Sequence, residues 1–138
     1  MSTLYRWWAA LLFLAVVVQV GLAGVGAFRT TKAADDSSTK TVSHHQIDNF
    51  FSPHGALGTI IAVAALLLVI FAAIAKVGPS RLKMAGALFV LAVVQIGLAA
   101  LGDWKGALGF FHPVNALAIF AVSGLIAHRE WRSSMRPA

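Results

Sequence analysis

Two histidines occupy matched places in a sequence that occurs twice. The apolar stretch 14–23 reappears with the same pattern at 91–99, and each copy leads to a Phe-Phe pair followed closely by His54 or His112. Neutral imidazole is the usual nitrogen ligand of haem iron. Two copies of one helix pair that face each other would bring both rings to one level. The pattern therefore predicts that His54 and His112 are metal ligands on either side of a flat macrocycle, haem b above all. Histidines at a membrane interface that only cap helices or contact lipid headgroups are the alternative.

Other residues near the two histidines complete the predicted cofactor site. Gly58 lies four residues after His54, and Ala116 lies four after His112, so each lies one helical turn from its histidine on the same face. Asn115 is expected to orient the His112 ring through its other nitrogen. Small residues in the first and third helices could admit a porphyrin, although close helix packing explains them equally plainly; they are Gly21, Gly24, Gly97 and Ala100.

Gln19 and Gln95 are matched polar residues inside otherwise apolar segments. An unsatisfied amide in lipid is unfavourable, so both side chains are expected to point inward. They would contact a cofactor edge or each other across the bundle. The favoured interpretation is structural, because interhelical amide bonds contribute about 0.6–2 kcal/mol to helix association.

The composition is that of a membrane protein. Hydrophobic residues make up 59% of the 138 residues and charged residues only 12%, where a soluble domain has about a quarter of its residues charged. Four apolar stretches are long enough to cross the hydrocarbon core as helices; they lie near 7–28, 54–75, 84–102 and 107–127. The first is too long for the apolar part of a secretory signal and has a partner in the third, so it is expected to be a permanent helix.

These segments predict an all-α integral membrane protein with a single domain over 1–138. The expected fold is an up-down-up-down four-helix transmembrane bundle built from two parallel two-helix repeats. The polar segment 29–52 is expected to be an outer loop, with the second helix starting at Ser52-Pro53 and the fourth at His112-Pro113. Residues 128–138 are expected to form a cytoplasmic tail.

Charge placement predicts the orientation. If both termini are cytoplasmic, the inner side carries seven basic residues and one acidic residue, whereas the outer side carries equal numbers of basic and acidic residues. The inner set is Arg6, Lys76, Arg81, Lys83, Arg129, Arg132 and Arg136 with Glu130, and the outer set is Arg29, Lys32, Lys40 and Lys105 with Asp35, Asp36, Asp48 and Asp103. The expected location is the bacterial cytoplasmic membrane, and the net charge of +6 follows from this topology.

Several other kinds of chemistry are excluded or poorly supported. The absence of cysteine excludes disulfides, iron–sulfur clusters and covalently attached haem. The basic residues form no patch interleaved with aromatics, so a nucleic-acid partner is not expected. His44 and His45 are adjacent in sequence and lack the spacing of a defined metal site. No nucleophile–base pair or phosphate-binding loop is present, so no independent catalytic activity is predicted.

Three segments together resemble a known group of proteins. The stretch 19–28, the stretch 54–58 and the stretch 111–116 are similar to a family of small, functionally uncharacterised four-helix membrane proteins from bacteria. More distantly, two helix pairs with one histidine each are similar to four-helix b-haem bundles, such as the half-bundles of haem A synthase. That resemblance implies His54 and His112 as axial ligands and implies nothing about a substrate.

The leading functional hypothesis is a b-type cytochrome with one haem near the outer face. It would transfer electrons or sense redox state together with a redox partner, a quinone or a larger membrane complex. Two alternatives remain open: a cofactor-free accessory subunit of a larger membrane complex, and a protein whose histidines bind a chlorophyll-type pigment.

Overall fold

Four long helices account for almost all of the chain. The computed structural model describes residues 2–134, which contain no β-strand. The helices are α1 (Ser2–Asp36), α2 (His44–Ile74), α3 (Pro79–Trp104) and α4 (Phe111–Ser134), with a 3₁₀ helix at Gly106–Phe110 before α4. All four are long and apolar enough to cross a membrane, so the predicted all-α four-helix fold is confirmed.

Contacts between neighbouring helices show that the bundle runs up, down, up and down. The indole nitrogen of Trp8 in α1 donates to the Ala64 carbonyl in α2 at 2.9 Å, which joins the beginning of one helix to the later part of the next. The rings of Trp7 and Trp131 meet edge to face at 5.2 Å, so the first and last helices share an end. Packing follows the cycle α1, α2, α3, α4 and back to α1. The parallel helices α2 and α4 therefore lie diagonally across the bundle.

The interior is filled by small and aliphatic side chains at helical spacing. Ala65 and Leu68 of α2 and Ala85 and Leu88 of α3 are almost completely buried. Most other large apolar side chains are exposed, and Phe28 is the extreme at 80%. Apolar residues on the outside as well as the inside are what a bundle surrounded by lipid requires.

The prediction of an outer loop at 29–52 is wrong for most of that segment. Helix α1 continues to Asp36 and α2 begins at His44, which leaves only residues 37–43 between them. Ser43 caps α2 by accepting a hydrogen bond from the Gln46 backbone, and the Gln46 side chain returns a bond to the Ser43 backbone. Pro53 consequently lies inside α2 rather than at its start.

The ends of α4 also differ from the prediction. The helix begins at Phe111, so His112-Pro113 does lie in its first turn, while most of the predicted start at 107–110 is 3₁₀. The predicted tail 128–138 is helical as far as Ser134, and within this last part of α4 Glu130 forms a salt bridge with Arg81 of α3. Residues 135–138, Arg136 among them, lie outside the described residues.

The two ends of the bundle differ in charge. The end that carries Tyr5 and Glu130, here called the terminal end, collects the basic residues expected on the inner side. The opposite end carries His54 and His112 and is called the histidine end. The sharp turn between α2 and α3 lies at the terminal end, where Lys76 and Gly78 adopt positive φ of 49° and 101° and Pro79 opens α3.

Candidate functional site

His54 and His112 meet across the diagonal of the bundle. The centroids of the two imidazole rings are 6.2 Å apart and the ring planes are inclined by 58°. Both side chains are half-buried. The structure therefore brings together the two residues that the repeat singles out, at one level and from opposite walls.

Each imidazole is held by a backbone carbonyl of the preceding helix. The Nδ1 atom of His54 lies 3.2 Å from the carbonyl oxygen of Gln19. The Nδ1 atom of His112 lies 3.2 Å from the carbonyl oxygen of Gln95. A carbonyl oxygen only accepts hydrogen bonds, so each Nδ1 must carry the proton and donate it. In the neutral form of each ring, Nε2 is then the unprotonated nitrogen, which is the atom that can bind a metal.

The local fold explains why the two rings have the same setting. Each histidine lies on the second helix of an antiparallel pair, at the level where the first helix presents its glutamine. Phe51 contacts His54 edge to face, with ring centroids 6.3 Å apart. His112 lies in the first turn of α4, just after the 3₁₀ helix. Two different backbone contexts thus place the two imidazoles equivalently.

Gln19 and Gln95 point inward as expected, but they do not bond to each other. Gln19 Nε2 donates to the His54 carbonyl at 2.8 Å, which joins α1 to α2. Gln95 Oε1 accepts from Asn115 Nδ2 at 2.7 Å, which joins α3 to α4. Both bonds are the interhelical type that the structural interpretation predicts. The Oε1 atom of Gln19 is buried and has no hydrogen-bond partner.

The expectation that Asn115 orients the His112 ring is wrong. Its Nδ2 donates to the Leu91 carbonyl at 2.9 Å and to Gln95 Oε1, whereas the His112 ring is bonded to the Gln95 carbonyl. The backbone carbonyl of Gln95 is the acceptor for the ring proton. Asn115 therefore bonds to α3, the helix that carries the Gln95 carbonyl, and not to the imidazole itself.

The small residues near the site fall into two groups. A Cβ atom at Gly58 would lie 3.0 Å from Gln19 Nε2, so this glycine makes room for the glutamine. Ala116 is half-buried at the matched place in α4. A Cβ atom at Gly21, Gly24 or Gly97 would meet nothing within 4 Å, and Ala100 is exposed. The open glycines are therefore not needed for close packing within this chain.

Within residues 2–134, no group of three or more histidine or carboxylate side chains is arranged to hold a metal ion. Among these residues, the histidine pair therefore has no third histidine or carboxylate side chain beside it that would complete a metal site. His44 and His45 lie in the exposed first turn of α2, where the His45 ring contacts Asn49. They are far from the pair along the helix and form no site with it.

Sequence reasoning missed three features of this structure. The partners of the two rings are main-chain carbonyls, which residue types do not reveal. The capping pair Ser43 and Gln46 was visible as a Ser-x-x-Gln pattern and would have placed the start of α2 correctly. A polar cluster at the terminal end, formed by Tyr5, Arg81 and Glu130, gave no recognisable motif.

Comparison of the chain with protein-family models, with curated proteins and with solved structures finds no significant match. Function must therefore be argued from the site itself.

Proposed function

We propose that this protein is a membrane b-type cytochrome in which His54 and His112 hold one haem b between the two helix pairs. The observation that carries the proposal is the facing pair of imidazoles, each with its Nδ1 proton donated to a carbonyl. The resemblance to four-helix b-haem bundles agrees with the proposal. The haem binding that this resemblance implies remains a prediction.

The separation of the rings supports ligation of one shared metal. Two metal–nitrogen bonds of about 2 Å each, together with the radius of two imidazole rings, about 1.1 Å each, place the centroids about 6 Å apart. The observed separation is 6.2 Å. The centroid separation therefore matches that of two imidazoles on one shared metal.

The number of ligands favours a macrocycle over a bare ion. A structural zinc ion takes four ligands, and a catalytic zinc ion takes three from the protein. Only two are present here, and no third candidate joins them among the described residues. A porphyrin supplies four nitrogens of its own and needs only axial ligands from the protein.

The chain's own residues have a defined role in such a site. Haem, when bound, supplies an iron that carries one electron. The carbonyls of Gln19 and Gln95 fix the tautomer of each histidine and make each Nε2 a stronger ligand. Because the site is confined to one end of the bundle, it does not by itself carry electrons across a membrane. A redox protein, a quinone or a larger membrane complex would exchange electrons with it.

The proposed orientation places both termini in the cytoplasm of a bacterial cell and the histidine end outside. It is supported by the excess of basic over acidic residues at the terminal end. The four apolar helices are compatible with contact to a lipid bilayer.

A reduced-minus-oxidised absorption spectrum of the purified protein, made in cells supplied with a haem precursor, tests the proposal. We expect a b-type difference band that is lost in His54→Ala and in His112→Ala. His45→Ala is the matched control, because His45 lies on α2 but is exposed, and it should keep the band. Absence of the band from the unaltered protein, despite a monodisperse helical preparation, would refute the proposal. A pigment that does not change on reduction would instead support the chlorophyll-type alternative.

A cofactor-free accessory subunit is the second candidate, and one observation favours it. The glycines at 21, 24 and 97 leave space beside α1 and α3 that none of the described residues fills, as a face for another membrane helix would. This candidate predicts that His54→Ala leaves assembly with the partner intact. A coloured, monodisperse protein purified without any partner would contradict it.

A further inference from the structure

A cleft at the terminal end contains polar groups that the histidine site does not use. It measures about 360 Å³ and lies between the first turn of α3, the last turns of α4 and the start of α1. Its polar lining comprises Tyr5, Arg81, Arg129 and Glu130. Val77, Met84 and Ile126 form an apolar side. The cleft thus has one charged wall and one apolar wall.

The phenol of Tyr5 is the most informative group in this cleft. Tyr5 is fully buried, and its hydroxyl has no hydrogen-bond partner among residues 2–134. A buried hydroxyl without a partner is unfavourable by the free energy of its lost hydration. A ligand that accepts a hydrogen bond would remove this penalty.

The charges of the cleft favour an anion. Arg81 Nε lies 2.6 Å from Glu130 Oε1, so this pair is neutral as a unit. Arg129 lies beside it, and its guanidinium donates to the weak acceptor Sδ of Met84 at 2.8 Å and forms no salt bridge within the described part of the chain. One positive charge is therefore left over at a place where a hydroxyl donor is also unused.

The beginning of α3 adds to this preference. Gly78 precedes the helix and Pro79 opens it, and both line the cleft together with Ser80. The first N–H groups of a helix have no partner within the helix, and the helix dipole is positive at this end. The helix start, the Arg129 guanidinium and the Tyr5 hydroxyl therefore all suit one anionic oxygen-rich group.

We propose that this cleft binds the phosphate group of an anionic phospholipid. The phosphate would accept hydrogen bonds from Tyr5, Arg129 and the start of α3, and the apolar wall would receive the glycerol and the first part of an acyl chain. Basic pockets between helices at the basic face of a membrane protein are suited to such headgroups. The proposal does not depend on the haem proposal.

Distance separates this site from the histidine pair. Glu130 lies 18 residues after His112 on the same helix, which corresponds to about 27 Å along the axis. A quinone in the cleft would thus be far from the histidines. A ligand in the cleft therefore does not contact the histidine pair, and its binding can be tested separately from the haem proposal.

Thermal unfolding of the full chain in neutral detergent tests the proposal, with three compounds titrated separately. They are dioctanoyl phosphatidylglycerol, dioctanoyl phosphatidylcholine and inorganic phosphate. We expect a saturable rise of Tm with phosphatidylglycerol and a much weaker one with phosphatidylcholine, whose choline cation would lie near Arg129. A saturable rise with inorganic phosphate would support the phosphate site while showing that the lipid tail is dispensable. No saturable rise with any of the three would overturn the proposal.

Two variants and one control locate the binding. Tyr5→Phe removes only the unpartnered hydroxyl, so it should not lower Tm without lipid, yet it should weaken phosphatidylglycerol binding roughly fivefold. Arg129→Gln should weaken it at least as much. Lys83→Gln removes the same charge from the exposed side of α3 outside the cleft, and it should leave the affinity unchanged. Equal weakening by Lys83→Gln, or unchanged binding in both cleft variants, would contradict a site in this cleft.

Discussion

The two halves of the bundle hold their histidines in the same way and surround them differently. In both, the ring Nδ1 lies 3.2 Å from the backbone carbonyl of a glutamine on the preceding helix. In the second half, Gln95 Oε1 is bonded to Asn115. In the first half, the place of Asn115 is taken by Leu57, and Gln19 Oε1 has no partner. The glutamine instead donates to the His54 carbonyl.

This difference separates what positions the rings from what only joins the helices. The bond between carbonyl and imidazole occurs in both halves, whereas the amide bonds differ in partner and direction. We infer that ring orientation depends on the backbone of α1 and α3, and that the amides contribute to helix association. Changes at matched positions of the two halves test this division.

The largest effect is expected at two tightly packed glycines near the histidine end, one in each half. A Cβ atom at Gly102 would lie 3.0 Å from the Gly109 backbone Cα, and one at Gly26 would lie 2.8 Å from the Phe51 ring. A backbone cannot move aside as a side chain can. Gly102→Val should therefore lower the free energy of unfolding by about 2–3 kcal/mol, and Gly26→Val by about 1–2 kcal/mol. Denaturation in mixed detergent, followed by tryptophan fluorescence, measures both free energies of unfolding. Equal losses in the two variants would contradict the distinction between a backbone neighbour at Gly102 and a side-chain neighbour at Gly26.

Asn115→Leu gives the second half the composition of the first. It removes the bonds to Gln95 Oε1 and to the Leu91 carbonyl. The expected loss is about 1–2 kcal/mol in the free energy of unfolding, because a half-buried amide oxygen is left unpaired. The histidine-dependent difference band should persist. Loss of the band in a folded Asn115→Leu protein would show that the amide does orient the ring.

Double-mutant cycles compare the pairs directly. In the second half, Asn115→Leu and Gln95→Leu should show a coupling of about 1 kcal/mol, within the range for hydrogen bonds between membrane helices. In the first half, Leu57→Ala and Gln19→Leu should be additive within about 0.5 kcal/mol, because no hydrogen bond joins those side chains. Similar coupling energies in both halves would contradict the inference that only the second half has a side-chain hydrogen bond at this position.

The smallest effect is expected one helical turn beyond each histidine. Gly58→Ala places a methyl group against Gln19 Nε2 and also favours the helix, so its net effect should lie within about 0.5 kcal/mol of zero. Ala116→Gly has no compensating contact and should cost about 1 kcal/mol. The same unfolding measurement checks both, and a large loss in Gly58→Ala would mean that the Gln19 bond is more important than we infer.

The sequence repeat was sufficient to predict which two histidines meet, because hydrophobic length determines four helices and the repeat determines their levels. The ends of the helices could not be predicted as well from the sequence. Residues 29–36 and 44–52 are polar, and their polarity suggested a loop, although polar residues form helices readily outside a membrane core. Pro53 suggested a helix start, yet a helix already capped at Ser43 runs through it.

Contacts that involve the main chain or distant charges could not be predicted in this way. The acceptor for each imidazole is a carbonyl, which every residue has, so Gln19 and Gln95 were identified for their side chains only. The pairing of Arg81 with Glu130 joins residues 49 apart in sequence. It depends on the antiparallel alignment of α3 and α4, which residue types do not specify to within one turn.

The unequal helix lengths have a consequence for access to the two imidazoles. Helix α2 begins ten residues before His54, whereas α4 begins one residue before His112. On the other side, α3 continues nine residues past Gln95, whereas α1 continues 17 residues past Gln19, so the α1–α2 hairpin extends about 12 Å further beyond the rings than the second half does. A soluble electron carrier arriving from the aqueous phase would meet a taller barrier on that flank than over α3 and α4. Its route of approach would be lateral, across the second half of the molecule.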